Sequence, residues 1–166
     1  QDEITIKVVN ALAVKLTTGE RDRLATKGTE NLQAYLKVLE AKQVQYRMTR
    51  ESNATARRLS EEAIALDPQY SGAYSMLAST YFMDVSFGSS KSPRESLQQA
   101  LELTKKAIAL NDLSVGAHAF LGLVYGYTRE HDQAIAACER AIALAPNNSY
   151  AHNYMGNVLS YAGVGD

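Results

Sequence analysis

The chain is poor in the features by which enzymes and secreted modules are usually recognised. Of its 166 residues one is cysteine, three are proline and none is tryptophan. A single thiol, Cys138, forms no internal disulfide, so the fold is expected to rest on packing in a reducing compartment. The formal net charge is −1, from 17 basic and 18 acidic residues, so there is no basic field to hold nucleic acid or an anionic membrane. No apolar run reaches the ~18–20 residues that cross a bilayer. Charged Asp2 and Glu3 stand where a secretory signal would begin, and a cytoplasmic location is expected. Gln1 in place of methionine fits a piece of a longer polypeptide. Gly19, Gly28 and Gly88 are isolated, and none is followed directly by the lysine and serine of a Walker motif, so no phosphate loop is present.

What the chain does have is a phrase written twice, 34 residues apart. Residues 115–126 carry His118, Leu121, Gly122 and Tyr125, and residues 149–160 carry His152, Met155 and Gly156 at matching places. Between them Ala134, Cys138 and Ala141 step along a second apolar face that Pro146 closes. Small residues at fixed offsets within a period of this length are the signature of stacked helix pairs. Alanine and glycine at the crossing points let two backbones approach, while tyrosine and leucine fill the space beside them.

The same phrasing is looser upstream. Tyr74, Leu77, Ala78, Tyr81, Ala100 and Ala107 form a unit with about ten extra residues, placed in a loop over 84–92. Tyr35, Val38, Leu39, Ala56, Ala63 and Pro68 form an earlier one with about five inserted. Thr29 is expected to cap a helix over 30–50 whose apolar face is Leu32, Tyr35, Leu36 and Leu39, with a polar break at 51–53. Ser92, Pro93 and Glu95 read as a capping box opening the helix that runs to Leu110. Ahead of all this, Ile4, Val8, Leu12 and Leu16 recur at four-residue steps, which predicts an amphipathic helix over 2–17 stopped by Gly19. A short helix is expected over 20–25. Strand-like alternation is absent.

These residues resemble the tetratricopeptide repeat. The resemblance covers residues 30–166 and implies an all-α fold: a right-handed α-solenoid of antiparallel helix pairs, about three repeats plus a final half-repeat. The expected boundaries are an N-terminal helical segment over 1–28 and a repeat domain over 29–166, with repeats over 30–68, 71–112 and 115–148 and a half-repeat over 149–166. The runs at 1–4, 31–35, 92–97 and 106–111 also resemble the C-terminal region of bacterial class III adenylate/guanylate cyclases and related signalling proteins, where a TolB-like α/β domain precedes such repeats. That resemblance implies that helix 2–17 ends an upstream domain. None of the cyclase's metal-binding aspartates or nucleotide-binding residues can be assigned in this chain.

No constellation points to catalysis, a cofactor or a metal. His118 and His152 share one repeat position and are expected to pack, His131 to be a solvated cap residue, and Cys138 to be an inert buried thiol. The groove is the better candidate. The repeat family lines it with first-helix positions, which here hold Lys37 and Glu40; Ser75, Ser79, Phe82 and Met83; Ala119, Leu123 and Tyr127; and Tyr150, Asn153, Asn157 and Tyr161, with Phe120 and Tyr154 half-turned toward the neighbouring repeat. Phe82, Met83, Tyr127, Tyr150, Asn153, Asn157 and Tyr161 are the expected contacts to a protein or peptide partner. Basic residues other than Lys37 are missing, which argues against capture of a terminal carboxylate. The chain is therefore expected to be a non-catalytic interaction module of a larger bacterial signalling protein. The alternative is a self-association module regulating an attached cyclase, with a homodimer formed through exposed terminal helices.

Overall fold

The computed structural model describes residues 28–163, with side chains through Ser160. The helix expected over 2–17, its stop at Gly19 and the short helix over 20–25 fall outside that span. The described residues form seven helices and no strand. They are α1 Leu32–Gln45, α2 Arg50–Leu66, α3 Ser71–Ser86, α4 Pro93–Leu110, α5 Val115–Tyr127, α6 His131–Leu144 and α7 Ser149–Gly163.

Helix order translates directly into packing. α1 packs on α2, α3 on α4 and α5 on α6, and each second helix also packs on the first helix that follows it. Successive first helices α1, α3, α5 and α7 touch one another, whereas among the described residues no two second helices pack closely. The first helices therefore form the tighter, inner wall of a curved stack.

Small residues set the spacing within each pair. Ala56, Ser60 and Ala63 on α2, Ala100, Thr104 and Ala107 on α4, and Ala134, Cys138 and Ala141 on α6 are all fully buried. The two hydroxyls among them donate to the carbonyls of Ala56 and Ala100, each at 2.7 Å, so neither is left unsatisfied at the crossing. At Gly122 a Cβ would collide with Cys138 Sγ and lie 2.9 Å from the carbonyl oxygen of Ala134. A Cβ at Gly156, its equivalent in α7, would meet nothing within 4 Å among the described residues.

Several boundaries differ from expectation for local reasons. Asn31 rather than Thr29 caps α1, accepting from the Ala34 amide, while Thr29 donates to Asp67 Oδ2 at 2.5 Å. α1 stops at Gln45, and Thr49 with Ser52 forms the capping box that opens α2. The supposed polar break is thus helical, and buried Asn53 donates to Thr80 O at 2.8 Å and Asp84 Oδ1 at 2.7 Å. The buried stripe of α1 is Ala34, Val38 and Ala41; Leu36 and Leu39, expected inside, are exposed. The extra residues of the second unit lengthen its helices, with α3 continuing to Ser86. Ser92 caps α4 by backbone geometry without a side-chain bond, its neighbours Ser90 and Ser96 pairing instead at 2.8 Å.

The histidines expected only to pack have a polar task. Tyr74 Oη donates to Pro68 O at 3.1 Å, His118 Nε2 to Asp112 O at 2.9 Å and His152 Nε2 to Pro146 O at 2.7 Å. A carbonyl only accepts, so both histidines carry the proton on Nε2. In each case a side chain ties its helix to the turn entering that helix. His131 opens α6 instead of solvating a turn, and its Nδ1 is buried without a partner among the described residues.

Two outcomes follow from this packing. Gly122→Ala is expected to lose about 1–3 kcal/mol through overpacking against Cys138 and the α6 backbone. Gly156→Ala, open at the same repeat position, is expected to gain up to about 1 kcal/mol from helix propensity; urea titration of both variants reads the contrast. Tyr70 is buried at the start of α3 and its phenol is pushed up to about 12, first by burial and then by Tyr35 and Asp67. An unfolded tyrosine titrates near 10, so this contribution is full below pH 10 and lost as pH rises through 12. Unfolding free energy should fall by about 2–3 kcal/mol over that window, and by less in Tyr70→Phe.

Candidate functional site

Charge is divided between the two walls. α3, α5 and α7 together hold one carboxylate, Asp84, two histidines, and no lysine or arginine. The second helices carry Arg50, Glu51, Arg57, Arg58, Glu61 and Glu62 on α2, with further charged residues of both signs on α4 and α6. Even Asp84 is withdrawn from the inner wall. It accepts from Asn53 and Ser89 and pairs with Arg57 Nη2 at 2.9 Å, while the Arg57 guanidinium lies 4.0 Å over the Tyr81 ring. Lys37 is withdrawn too: its ammonium meets Glu62 of α2 at 2.7 Å, and Arg58 reaches the same carboxylate. Those two cations hold Glu62 below its ordinary value, the Lys37 hydrogen bond most of all. The inner wall over α3, α5 and α7 is left without an unpaired lysine, arginine or carboxylate, while α1 keeps Glu40 exposed at its expected groove position.

The aromatic rings concentrate at one seam. α3 and α5 pack less closely on one another than α5 and α7 do. Phe82 fills that gap, with Tyr127 edge-on at 4.7 Å and Phe120 at 5.6 Å. Buried Leu101, Leu123 and Val124 complete the cluster beneath them. Edge-to-face pairs of this kind add about 0.5–1.5 kcal/mol beyond the area they bury, so the rings are rigidly held.

The expected contacts divide accordingly. Phe82 is 7% exposed and serves as the floor, whereas Tyr127 is 41% exposed at the rim. Met83 is half-buried beside them. On α7, exposed Tyr150 leans on Tyr154 at 6.5 Å, and exposed Asn157 donates to Asn153 across one turn at 3.4 Å. Burial raises the Tyr154 phenol, with Tyr150 adding to it. The Tyr161 side chain lies outside the described residues. Ala119 and Leu123 are buried between helices and offer no surface, and Ser79 is held by Gln45 at 3.1 Å. Gln45, absent from the expected set, also reaches Asn53 and joins α1 to this wall; with the helix assumed to run to 50, nothing in the pattern marked it.

The remaining candidates stay apart. Among the described residues no three of histidine, cysteine, aspartate and glutamate converge on a point that a metal ion would occupy. Cys138 is buried and its thiol is raised by that burial. Ser75 Oγ, at a groove position on α3, is buried without a partner among the described residues.

Phe82→Ala is expected to cost about 3–5 kcal/mol as a cavity beneath the seam. Tyr127→Ala, at the rim, is expected to cost about 1 kcal/mol or less. Thermal or urea unfolding separates the floor from the surface.

No protein-family model matches the chain. A protein of Rhizobium meliloti (strain 1021) named "Putative adenylate cyclase 3" is 32% identical over 134 residues, which are 81% of this chain and 23% of that protein. The chain thus spans about a quarter of that relative's length. Among solved structures, TTC0263, a thermophilic TPR protein of Thermus thermophilus, aligns with a TM-score of 0.69 at 23% identity over 93% of this chain and 80% of its own. The first TPR of Spaghetti (RPAP3), bound to the HSP90 peptide SRMEEVD, aligns with a TM-score of 0.62 at 18% identity over 80% and 95%. At these identities the likeness establishes architecture: the chain folds as a tetratricopeptide-repeat solenoid.

Proposed function

We propose that this chain is a non-catalytic protein-interaction module of a larger signalling protein, and that it takes a peptide or helix along its inner wall. The observation that carries the reading is the seam between α3 and α5, where rigid aromatic rings stand on a wall stripped of charge. Tyr127, Met83 and Tyr150 supply apolar contact with little side-chain entropy to lose. Asn153 and Asn157 supply amides that suit a peptide backbone, and Tyr161 extends the same face by its spacing. A repeat solenoid of the same fold holds an acidic peptide. Here a carboxylate would be stripped of water with no lysine or arginine to meet it, so the preferred partner is uncharged or basic. The likeness to a cyclase-named relative supports a parent that makes a cyclic nucleotide, with this module regulating or placing it.

A second reading is favoured by the bare face of α7, where a Cβ at Gly156 would meet nothing within 4 Å among the described residues and Leu159 is 53% exposed. That face suits self-association, with the module regulating the attached cyclase through a homodimer.

One experiment reads both. A photo-reactive phenylalanine analogue is placed in turn at Tyr127, Leu159 and Glu139, the last on the outer helix α6, in the full-length protein in its own cell. Adducts with a different protein from position 127, and few from 139, are expected. Equal yield from 139 rejects the inner wall, and adducts of twice the parent mass from 159 establish the second reading. The acidic peptide SRMEEVD, titrated in excess, is expected to leave the adduct at 127 undiminished.

A further inference from the structure

The crossings fix how α1 compares with the first helices that follow. Gly122 is pressed against α6, and Ala78, at the same repeat position in α3, is fully buried. In α1 the repeat pattern puts Leu39 there, yet Leu39 is 41% exposed and Ala41 is fully buried. Two contacts agree with Ala41. Tyr74, four residues before Ala78, lies against Lys106, the residue before Ala107; Lys37, four before Ala41, meets Glu62, the residue before Ala63. Phe82, four residues after Ala78, reaches Phe120 and Tyr127 of the next first helix, and Gln45, four after Ala41, reaches Ser79 of the next first helix at 3.1 Å. α1 is therefore shifted by two residues from the register its sequence implies.

The shift changes what α1 adds to the inner wall. Glu40 falls at the position of Leu121, which packs back on the preceding pair, so it leaves the groove. Exposed Lys42 takes its place in the row of Ser79 and Asn157 and makes no ion pair among the described residues. Tyr46, whose backbone is still helical, falls in the row of Met83 and Tyr127, with Tyr161 at the same spacing on α7. It is 76% exposed. One large flat or flexible apolar side chain thus stands on each successive first helix.

On the inner-wall reading, we infer that the occupant is a proline-rich segment in the polyproline II conformation, lying across the first helices on Tyr46, Met83 and Tyr127. Packed helix axes stand about 8–10 Å apart, and a polyproline II helix repeats every three residues, about 9.3 Å. One turn of the peptide spans one step along the row. An extended strand turns residues three apart to opposite faces, and an α-helix satisfies its own carbonyls, so neither uses the wall in this way. Polyproline II leaves every carbonyl without an internal bond. Lys42 offers donors at one end of the wall, and so does the Asn153 amide, whose oxygen is taken by Asn157, at the other. An uncharged chain also matches a wall that shows no unpaired charge over α3, α5 and α7.

The probe is a capped, fluorophore-labelled dodecaproline titrated into the full-length protein. Saturable binding is expected, weakened about tenfold by Tyr127→Ala and severalfold by Tyr46→Ala. Glu40→Ala and the outer-helix variant Glu139→Ala are expected to leave it unchanged, and a capped Gly-Ser dodecapeptide is expected not to compete. Should Tyr127→Ala disturb the seam beneath it, seen as a loss of helical circular dichroism, Tyr46→Ala decides alone. Absence of saturable binding, equal competition by the Gly-Ser peptide, or binding indifferent to Tyr46→Ala overturns the proposal. Adducts from position 127 with a segment that is not proline-rich also overturn it, while leaving the inner-wall reading in place; equal adducts from position 139 overturn both.

Discussion

Close approach of paired helix backbones is the constraint on which the rest of this structure depends. α5 and α6 meet where Gly122 lies under Cys138 and Ala134, a gap with no room for one more carbon. α2 and α4 repeat the arrangement with Ala56, Ser60 and Ala63 and with Ala100, Thr104 and Ala107. Because these positions accept only small groups, bulk is displaced into the seams between pairs. Tyr70 with Ala73 and Met76 fills the first seam, Phe82 with Phe120 the second, and Tyr154 the third. The pairs supply rigidity, and the seams decide how far one pair stands from the next.

The enlarged second pair turns that rule into a site. α3 and α5 make little direct backbone contact, and the space between them is closed by the rings of Phe82, Phe120 and Tyr127. An aromatic floor with a partly exposed aromatic rim is a surface that another chain can use without rearrangement. The partition of charge points the same way. Lys37 of α1 and Asp84 of α3 are both turned into pairs with α2, to Glu62 and to Arg57, and only exposed Glu40 of the expected groove residues keeps a charge. Binding here would rest on shape and burial, with little dependence on salt.

Legibility in the sequence varied with the strength of local signals. α5 and α6 were readable almost residue by residue, because each consensus position there corresponds to a packing contact. The junction of α1 and α2 was not. A capping box built from Thr49 and Ser52 lacks the acidic third residue that makes such boxes conspicuous, and Asn53 reads as a helix breaker until Thr80 and Asp84 are there to satisfy it. The buried stripe of α1 was misplaced for a related reason: Leu36 and Leu39 are the larger apolar residues, yet the crossing requires the smaller Ala34 and Ala41. Within the candidate site, Tyr127, Tyr150, Asn153 and Asn157 are exposed as their positions implied, while Phe82 is floor and Ala119 and Leu123 are interior. Repeat positions describe an average helix pair, and only Phe82 of these three lies in the enlarged one.

Period and residue size by themselves determined the architecture: helices, their pairing and their order follow from small residues recurring along the chain, since only those residues permit the crossings. Which way each polar side chain turns was decided by the tertiary structure. His118 and His152 became ties to their own turns because a carbonyl six residues back lies within reach once the chain has folded. Lys37 left the groove because the carboxylate of Glu62 was brought beside it. The histidine ties need only the local turn, whereas the choice of Lys37 depends on a partner 25 residues away and its gain exists only after the helices have stacked.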